Sequence, residues 1–417
     1  MNVLRRLNLL LIVAALLIAA SAAHARSYDL NADFYAFDKD RSATIRRFEP
    51  AMSEAQRAIS RSEVSGRPMP CSRQILLETR WLADSTSDYE RLRRRMDELR
   101  RSLRKPNQGF ADEQAPSDGS WGRCFEEWFL KFNTSVDFIR ELQEEGRTPA
   151  HRTSFLDRIN SPESLSTYLH SLLISDITAT GKDSAKELNY AATGLLRLLL
   201  NGAPADYPYH PSLKDALLRF IDDEWQNSDT GYWGEWYLRV GEPVKTDHLS
   251  TTFHIISYRK GDVRRWKKII DTTLAIKGLE YPFGWLEHGG YSNHHNYDVV
   301  KIFRYGWPHM NRRQQATARD ELRAMIRWCL QSSLKPDGSF VMSRTGPIGE
   351  SFYFGVAFLN EVGYFERARR FWTDEEFHGV DDVRAAILRK IDSIKYGDLY
   401  MKWAREMLIE AGGEQLQ

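Results

Sequence analysis

Three short stretches concentrate side chains that can bind an anion or move a proton. The first holds Thr246, Asp247, His248, Thr251, His254 and Tyr258. The second holds Glu287, His288, Tyr291, Asn293, His294, His295, Asn296, Tyr297 and Asp298, around the pair Gly289 and Gly290. The third holds Arg344, Glu350 and Tyr353. Five of the eleven histidines fall between His248 and His295, more imidazole than a solvated surface needs. Such groups suit elimination from a uronic acid. Asn, His or Arg neutralises the carboxylate and so acidifies the C5 proton; a Tyr or His removes that proton; an acid protonates the departing oxygen. Asn293, His294, Tyr297, Tyr291, His248 and Arg344 are the candidates for this chemistry. Glu287, His295 and Tyr353 are candidate substrate-binding groups. Tyr232, Trp233, Trp236 and Trp285 are either core residues or stacking platforms for a sugar.

Blander readings stand beside these. Asn293 caps a helix that begins near His294, which does not exclude a second role. His254, on an apolar helix face, reads as a satisfied core residue. A metal site would draw on His294, His295, Asp298 and His248, but adjacent histidines on a helix point about 100° apart and rarely share an ion. No metal and no cofactor are therefore expected. A hydrolase would use two carboxylates among Asp229, Glu287, Asp298 and Glu350. There is no Gly-rich phosphate loop and no Gly-x-Ser-x-Gly elbow.

These groups must be positioned by a repeat. Three turns combine small and aromatic residues: Asp229, Gly231, Tyr232, Trp233 and Gly234; then Tyr281, Pro282, Phe283, Gly284 and Trp285; then Asp337, Gly338, Ser339 and Phe340. Their glycines 231, 284 and 338 lie 53 and 54 positions apart. An amphipathic helix precedes each turn. Leu322, Met325, Ile326, Cys329, Leu330 and Ser333 share one face before the third. Val263, Trp266, Ile269, Ile270 and Thr273 do so before the second, with Asp262 as the expected N-cap. More uniformly apolar helices follow, over 250–258, 295–305 and 351–360, and such helices are buried. Residues 190–200 and 213–225 form an earlier copy. Units of this kind must stack to bury their faces.

A Gly-aromatic turn after an outer helix at this spacing resembles the α/α toroids. These include terpenoid cyclases, prenyltransferase-type repeat proteins, and hairpin-barrel polysaccharide lyases and glycosidases. The resemblance spans roughly 163–400. It implies an all-α fold, an incomplete or complete ring of helical hairpins, with an N-terminal helical extension. The expected organisation is a signal peptide over 1–25, the extension over 26–162 and the α/α toroid over 163–417. Asn293 and His294 followed by Tyr297 are similar to the Asn-His-x-Tyr sites of toroid alginate-type lyases, with Tyr297 three residues after His294 rather than two. Arg344 with Tyr353 is a loose counterpart of the downstream Arg and Tyr. The likeness implies an exported carbohydrate-active enzyme that cleaves an acidic polysaccharide or its oligomers by β-elimination. A paired-carboxylate glycosidase and a non-catalytic toroid binding glycan or protein at the cell envelope are the alternatives. The acidic neighbours, such as Asp222 with Asp223, do not make the Asp-x-Asp-Asp protonation motif of a cyclase.

The N-terminus supports export. Arg5 and Arg6 precede an apolar run over 9–20, and Ala23 and Ala25 offer a cleavage site. A periplasmic or secreted location is expected, with no stable membrane insertion after cleavage. Loss of residues 1–25 changes the formal charge from +1 to −1, so net charge gives no general case for nucleic acid as a partner. Eight basic residues crowd 91–105 around an apolar stripe of Leu92, Met96, Leu99 and Leu103, which reads as the solvated face of a packed helix. Residues 105–122 read as a loop. Of three cysteines, Cys71 and Cys124 can pair in an oxidising compartment, and Cys329 reads as a buried free thiol.

Overall fold

A computed structural model describes residues 39–412, except 203, 205–206, 240, 343–347 and 396, with side chains from Arg46 onward. Residues 1–25, expected to be a signal peptide, and Arg344 lie outside the described residues. The chain is mostly helical.

Three helices open the described chain: α1 (Lys39–Val64), α2 (Pro70–Ser85) and α3 (Tyr89–Ser102). Pro70 suits a first turn, where its missing N–H costs nothing. Asp88 caps α3 by accepting from Arg91 N at 3.0 Å. Met52, Ile59, Ile75, Trp81, Leu92, Met96 and Leu99 build a separate core with Phe125 and Phe129. Residues 105–122 are a loop interrupted by one short turn of helix at Gly109–Asp112.

Among the described residues, eleven further helices longer than the single turn at Ile177–Thr180 follow: α4 (Trp128–Glu144), α5 (Pro162–Leu173), α6 (Ala185–Asn201), α7 (Leu213–Arg219, continued as a wider turn to Trp225), α8 (Leu249–Tyr258), α9 (Trp266–Ala275), α10 (Asn293–Gly306), α11 (Arg312–Trp328), α12 (Ile348–Glu361), α13 (Val380–Asp392) and α14 (Leu399–Glu410). The even-numbered ones pack in sequence: α4 on α6, α6 on α8, α8 on α10, α10 on α12 and α12 on α14. They run in the same direction. Asn189 and Asn201 of α6 face His254 and Tyr258 of α8, and His294 and Lys301 of α10 face Phe354 and Glu361 of α12. Lys402 of α14 pairs with Glu141 of α4 at 2.6 Å, and the Arg140 guanidinium lies 4.3 Å over the Trp403 ring. The larger core begins at Trp121 and includes Phe132, Val136 and Ile139 of α4, so it extends into the segment before residue 163.

The odd-numbered helices bury one stripe against this series. On α11, Leu322, Met325 and Ile326 are buried, and Cys329 and Ser333 continue the stripe beyond it. The Gly-aromatic turns fix where each outer helix hands back to an inner one. Gly231 has φ +76°, and a Cβ there would sit 2.9 Å from Ile269 of α9; Gly338 has φ +85°, and its Cβ would sit 2.2 Å from the Ala386 carbonyl of α13. Both positions need a residue without a side chain.

Two local expectations are corrected. Asp262 does not cap α9. The reversal after α8 is longer than expected because Lys260 and Gly261 both take positive φ, and the residue preceding α9 is Arg265, itself left-handed. Asn293 does not cap α10 either: Ser292 does, its Oγ accepting from His295 N at 3.2 Å. The helical pattern also gave no hint of a small sheet in which β1 (Ile174–Ser175) is parallel to β2 (Trp236–Arg239), and β2 is antiparallel to β3 (Glu242–Lys245).

Cys71 and Cys124 form a disulfide, and Cys329 is buried and free. Thiol counting on denatured, unreduced protein should find one thiol; three would contradict the bridge. Nearby, Glu78 is fully buried and accepts from Arg91 at 2.8 Å, Arg95 at 2.7 Å, and the amides of Glu126 and Glu127. Removing it takes from Arg95 its one fully buried carboxylate partner and leaves Glu98, which is partly exposed. Glu78→Ala should cost about 3–5 kcal/mol in urea unfolding; a loss below about 1 kcal/mol would contradict this role.

Candidate functional site

Each inner helix turns one line of half-buried side chains away from its neighbours and away from the outer layer. These are Asp137 and Arg140 on α4, Tyr190 and Arg197 on α6, and His254 and Tyr258 on α8. They continue with His294 and Tyr297 on α10, Glu350, Tyr353 and Phe354 on α12, and Tyr400 and Trp403 on α14. They meet one another around a shared interior. Arg197 lies 5.6 Å over Tyr258, which stacks on His254 at 5.5 Å. Tyr297 meets Phe253 at 5.3 Å and Tyr353 at 6.3 Å. Tyr353 meets Tyr400 at 5.4 Å and Trp403 at 5.9 Å. Where α4, α6 and α8 end, a cavity of about 180 Å³ is lined by Arg140, Gln143, Arg197, Asn201 and Tyr258.

The opposite end of the interior carries the densest chemistry, because the parallel inner helices all begin there. His294 stacks on Phe354 at 3.8 Å and faces Tyr281 at 5.9 Å; neither of its ring nitrogens has a hydrogen-bond partner among the described residues. Burial pushes His294 down to about 4, so the ring is neutral at ordinary pH. His248 is the N-cap of α8. Its Nδ1 accepts from Thr251 N at 3.2 Å, which leaves the proton of the neutral ring on Nε2. Burial holds it at about 4 as well. His254 is pushed to about 3, by burial first and then by the charges of His294 and Arg197. Tyr281 is hydrogen-bonded to Ser250, Tyr297 to Tyr353, and burial raises both phenols well above their usual range. Glu350 rises to about 7, through burial first and then the nearby Asp398 carboxylate, with Lys186 opposing and Glu287 adding.

The structure thus brings together His248, His294, Tyr297, Tyr353 and Glu350 from the sequence-derived candidates. Others point elsewhere. Asn293 is buried and donates from Nδ2 to Ser333 Oγ at 2.9 Å, toward the outer layer. Tyr291 donates to Glu321 of α11 at 3.1 Å. Tyr232 is fully buried against Thr273 of α9 at 2.8 Å. Trp233 is core and donates to the Ile221 carbonyl at 2.8 Å, and Trp285 packs on Phe303 at 5.7 Å. Trp236 lies on β2 with the Lys245 ammonium 4.2 Å above its ring. Glu287 is half-buried in the turn before α10, and His295 is buried, stacked on Tyr281 at 3.7 Å. Among the described residues no three of His, Cys, Asp and Glu are arranged to hold a metal.

His254 is satisfied as expected, by a hydrogen bond to Asn189 Oδ1 at 3.3 Å, but it is half-buried rather than fully in the core. Sequence reasoning missed Tyr281, Tyr400, Trp403, Arg140 and Arg197. A signal existed for some of them. Polar or aromatic side chains recur three or four residues apart on otherwise apolar helices, as in 254 with 258, 294 with 297, and 400 with 403. Tyr281 had no such signal, because it reaches the interior from a turn.

No protein-family model, curated protein or solved structure matches this chain.

Depressed histidines link the site to stability. The unfolded chain protonates His294 near 6.5, the folded one only near 4, so stability falls as pH drops through that window. His248 and His254 act with the same sign. Glu350 acts oppositely, since its folded form binds a proton between 4.5 and about 7. His294→Asn isolates one imidazole. Its urea midpoint should fall less between about pH 7 and pH 5 than that of the wild type; equal losses would refute the neutral buried ring.

Proposed function

We propose that the inner helices form a closed α/α ring whose interior is the active site of an exported carbohydrate-active enzyme, a lyase that cleaves an acidic polysaccharide by β-elimination. One observation carries this reading: a neutral, unpartnered His294 lies beside the Tyr281 phenol at the end where the parallel inner helices begin. Helix N-termini favour negative charge, and Lys186 adds a cation beside Glu350. A uronate carboxylate held there is neutralised, which acidifies its C5 proton. His294 accepts that proton. The C4–O bond breaks, the C4–C5 double bond forms, and Tyr281 protonates the departing oxygen. The aromatic lining of Tyr297, Tyr353, Phe354 and Trp403 suits the faces of sugar rings.

Glu350 favours a second reading. A carboxyl raised to about 7 is suited to protonate a glycosidic oxygen, with Glu287 or Asp398 as the second carboxylate of a hydrolase.

Incubation with alginate, pectic and glycosaminoglycan polymers separates the two. A lyase produces far-ultraviolet absorbance from the new double bond, and His294→Ala lowers kcat by roughly 10²-fold or more while the helical circular dichroism spectrum is kept. Reducing ends released without absorbance, persisting in His294→Ala and lost in Glu350→Gln, would replace the lyase with the hydrolase. Binding without turnover would leave a non-catalytic glycan receptor.

A further inference from the structure

Helix α3 and the turn that follows it carry a row of cations that the fold leaves without ion-pair partners. Arg93, Arg94, Arg101, Arg104 and Lys105 are exposed, and among the described residues none of them forms an ion pair. Other cations of the helix are committed. Arg95 is buried between Glu78 and Glu98, Arg91 holds Glu78, Glu126 and Glu127, and Arg100 pairs with Asp97 at 2.8 Å. Glu90, in the first turn, is the one acid of α3 outside these pairs. Rotation of the helix is fixed from beneath, because Leu92, Met96 and Leu99 are buried in the N-terminal core. Arg93 to Arg101 therefore spans about 12 Å along the helix, on the outward side.

Placement relative to the interior supplies the second observation. The N-terminal helices join the rest of the chain at the end where the inner helices begin. Ser87 N donates to the Gly181 carbonyl and Asp183 N to the Ser85 carbonyl, both at 2.8 Å, just before α6. Gly66, just after α1, lies against Lys395, just before α14. Helix α3 starts two residues after the Ser87 contact, and Asn107, after its end, donates to the Pro68 carbonyl at 2.9 Å, so its cations lie beside the end where the inner helices begin.

We propose that the outward face of α3 is a docking strip for an acidic polysaccharide, holding the polymer beside the entrance to the interior. This rests on the reading of the interior as a site for uronate chains. A row of exposed guanidinium groups attracts a polyanion through long-range, salt-sensitive forces. The outward face lacks the aromatic platforms with which single-stranded nucleic acid is stacked, which favours a sugar polymer over a nucleic acid.

The test uses the full chain and sized alginate, with neutral dextran as control. Wild-type protein should bind alginate at low salt, release it as sodium chloride rises, and ignore dextran. The quadruple variant Arg93→Gln, Arg94→Gln, Arg101→Gln and Arg104→Gln should bind alginate roughly tenfold more weakly or worse. Its circular dichroism should match the wild type, since the side chains replaced are exposed. His294→Ala should retain polymer binding. If alginate binds through α3 and no double-bond product forms, the docking strip survives and the lyase reading fails. If polymer is cleaved but the quadruple variant binds and cleaves it like the wild type, the strip fails and the lyase reading survives. No alginate binding at low salt, or tighter binding to an oligonucleotide of equal charge, would overturn the proposal.

Discussion

Parallel inner helices impose the governing constraint on this molecule. Each is apolar toward two neighbours and toward the outer layer, so an open end of the series would expose a face built for burial. Two side-chain contacts link its last helix to its first: Lys402 of α14 with Glu141 of α4, and Arg140 over Trp403. Packing on three sides leaves each helix one side with no neighbour. The half-buried polar and aromatic residues of these helices collect there.

The same geometry sets the electrostatics. Helices that run in one direction present their N-terminal dipoles at one end. His248, His294, Glu350 and Asp398 all lie at or near such starts. Desolvation moves His248, His294 and Glu350 toward neutrality: the imidazoles lose protons and Glu350 keeps one longer. A site of neutral acids and bases inside an aromatic wall is prepared for proton transfer rather than for ion pairing. Asp298 and Glu235 extend the pattern outside the interior. Both are fully buried with no side-chain hydrogen bond among the described residues, and burial raises both carboxyls. A neutral carboxylic acid is the form such surroundings tolerate.

The N-terminal helices solve a different problem. They bring a buried carboxylate, Glu78, to a cluster of arginines, and a disulfide joins α2 to the segment leading into α4. These ties hold a basic helix rigidly beside the rim. The charge that crowds 91–105 in the sequence is thereby sorted, with Arg91 and Arg95 serving the fold and the remainder facing solvent.

The amino-acid order by itself determined the helical class, the alternation of buried and amphipathic helices, the Gly-aromatic turns and the loop over 105–122. All follow from local periodicity and backbone preference, which are properties of neighbouring residues. It also located His248, His294, Tyr297 and Tyr353, since these interrupt apolar helices. Only the tertiary structure decided which way each side chain points. Asn293 and His294 are adjacent in sequence, yet about 100° of helical rotation sends one to Ser333 and the other to the interior. Tyr232, Trp233 and Trp285 carry the composition of a sugar platform and serve as core, because their turns face the outer helices. Tyr281 and Arg197 were invisible for the converse reason. Their neighbours in space come from helices far away in sequence, and no local pattern records which helix will pack on which.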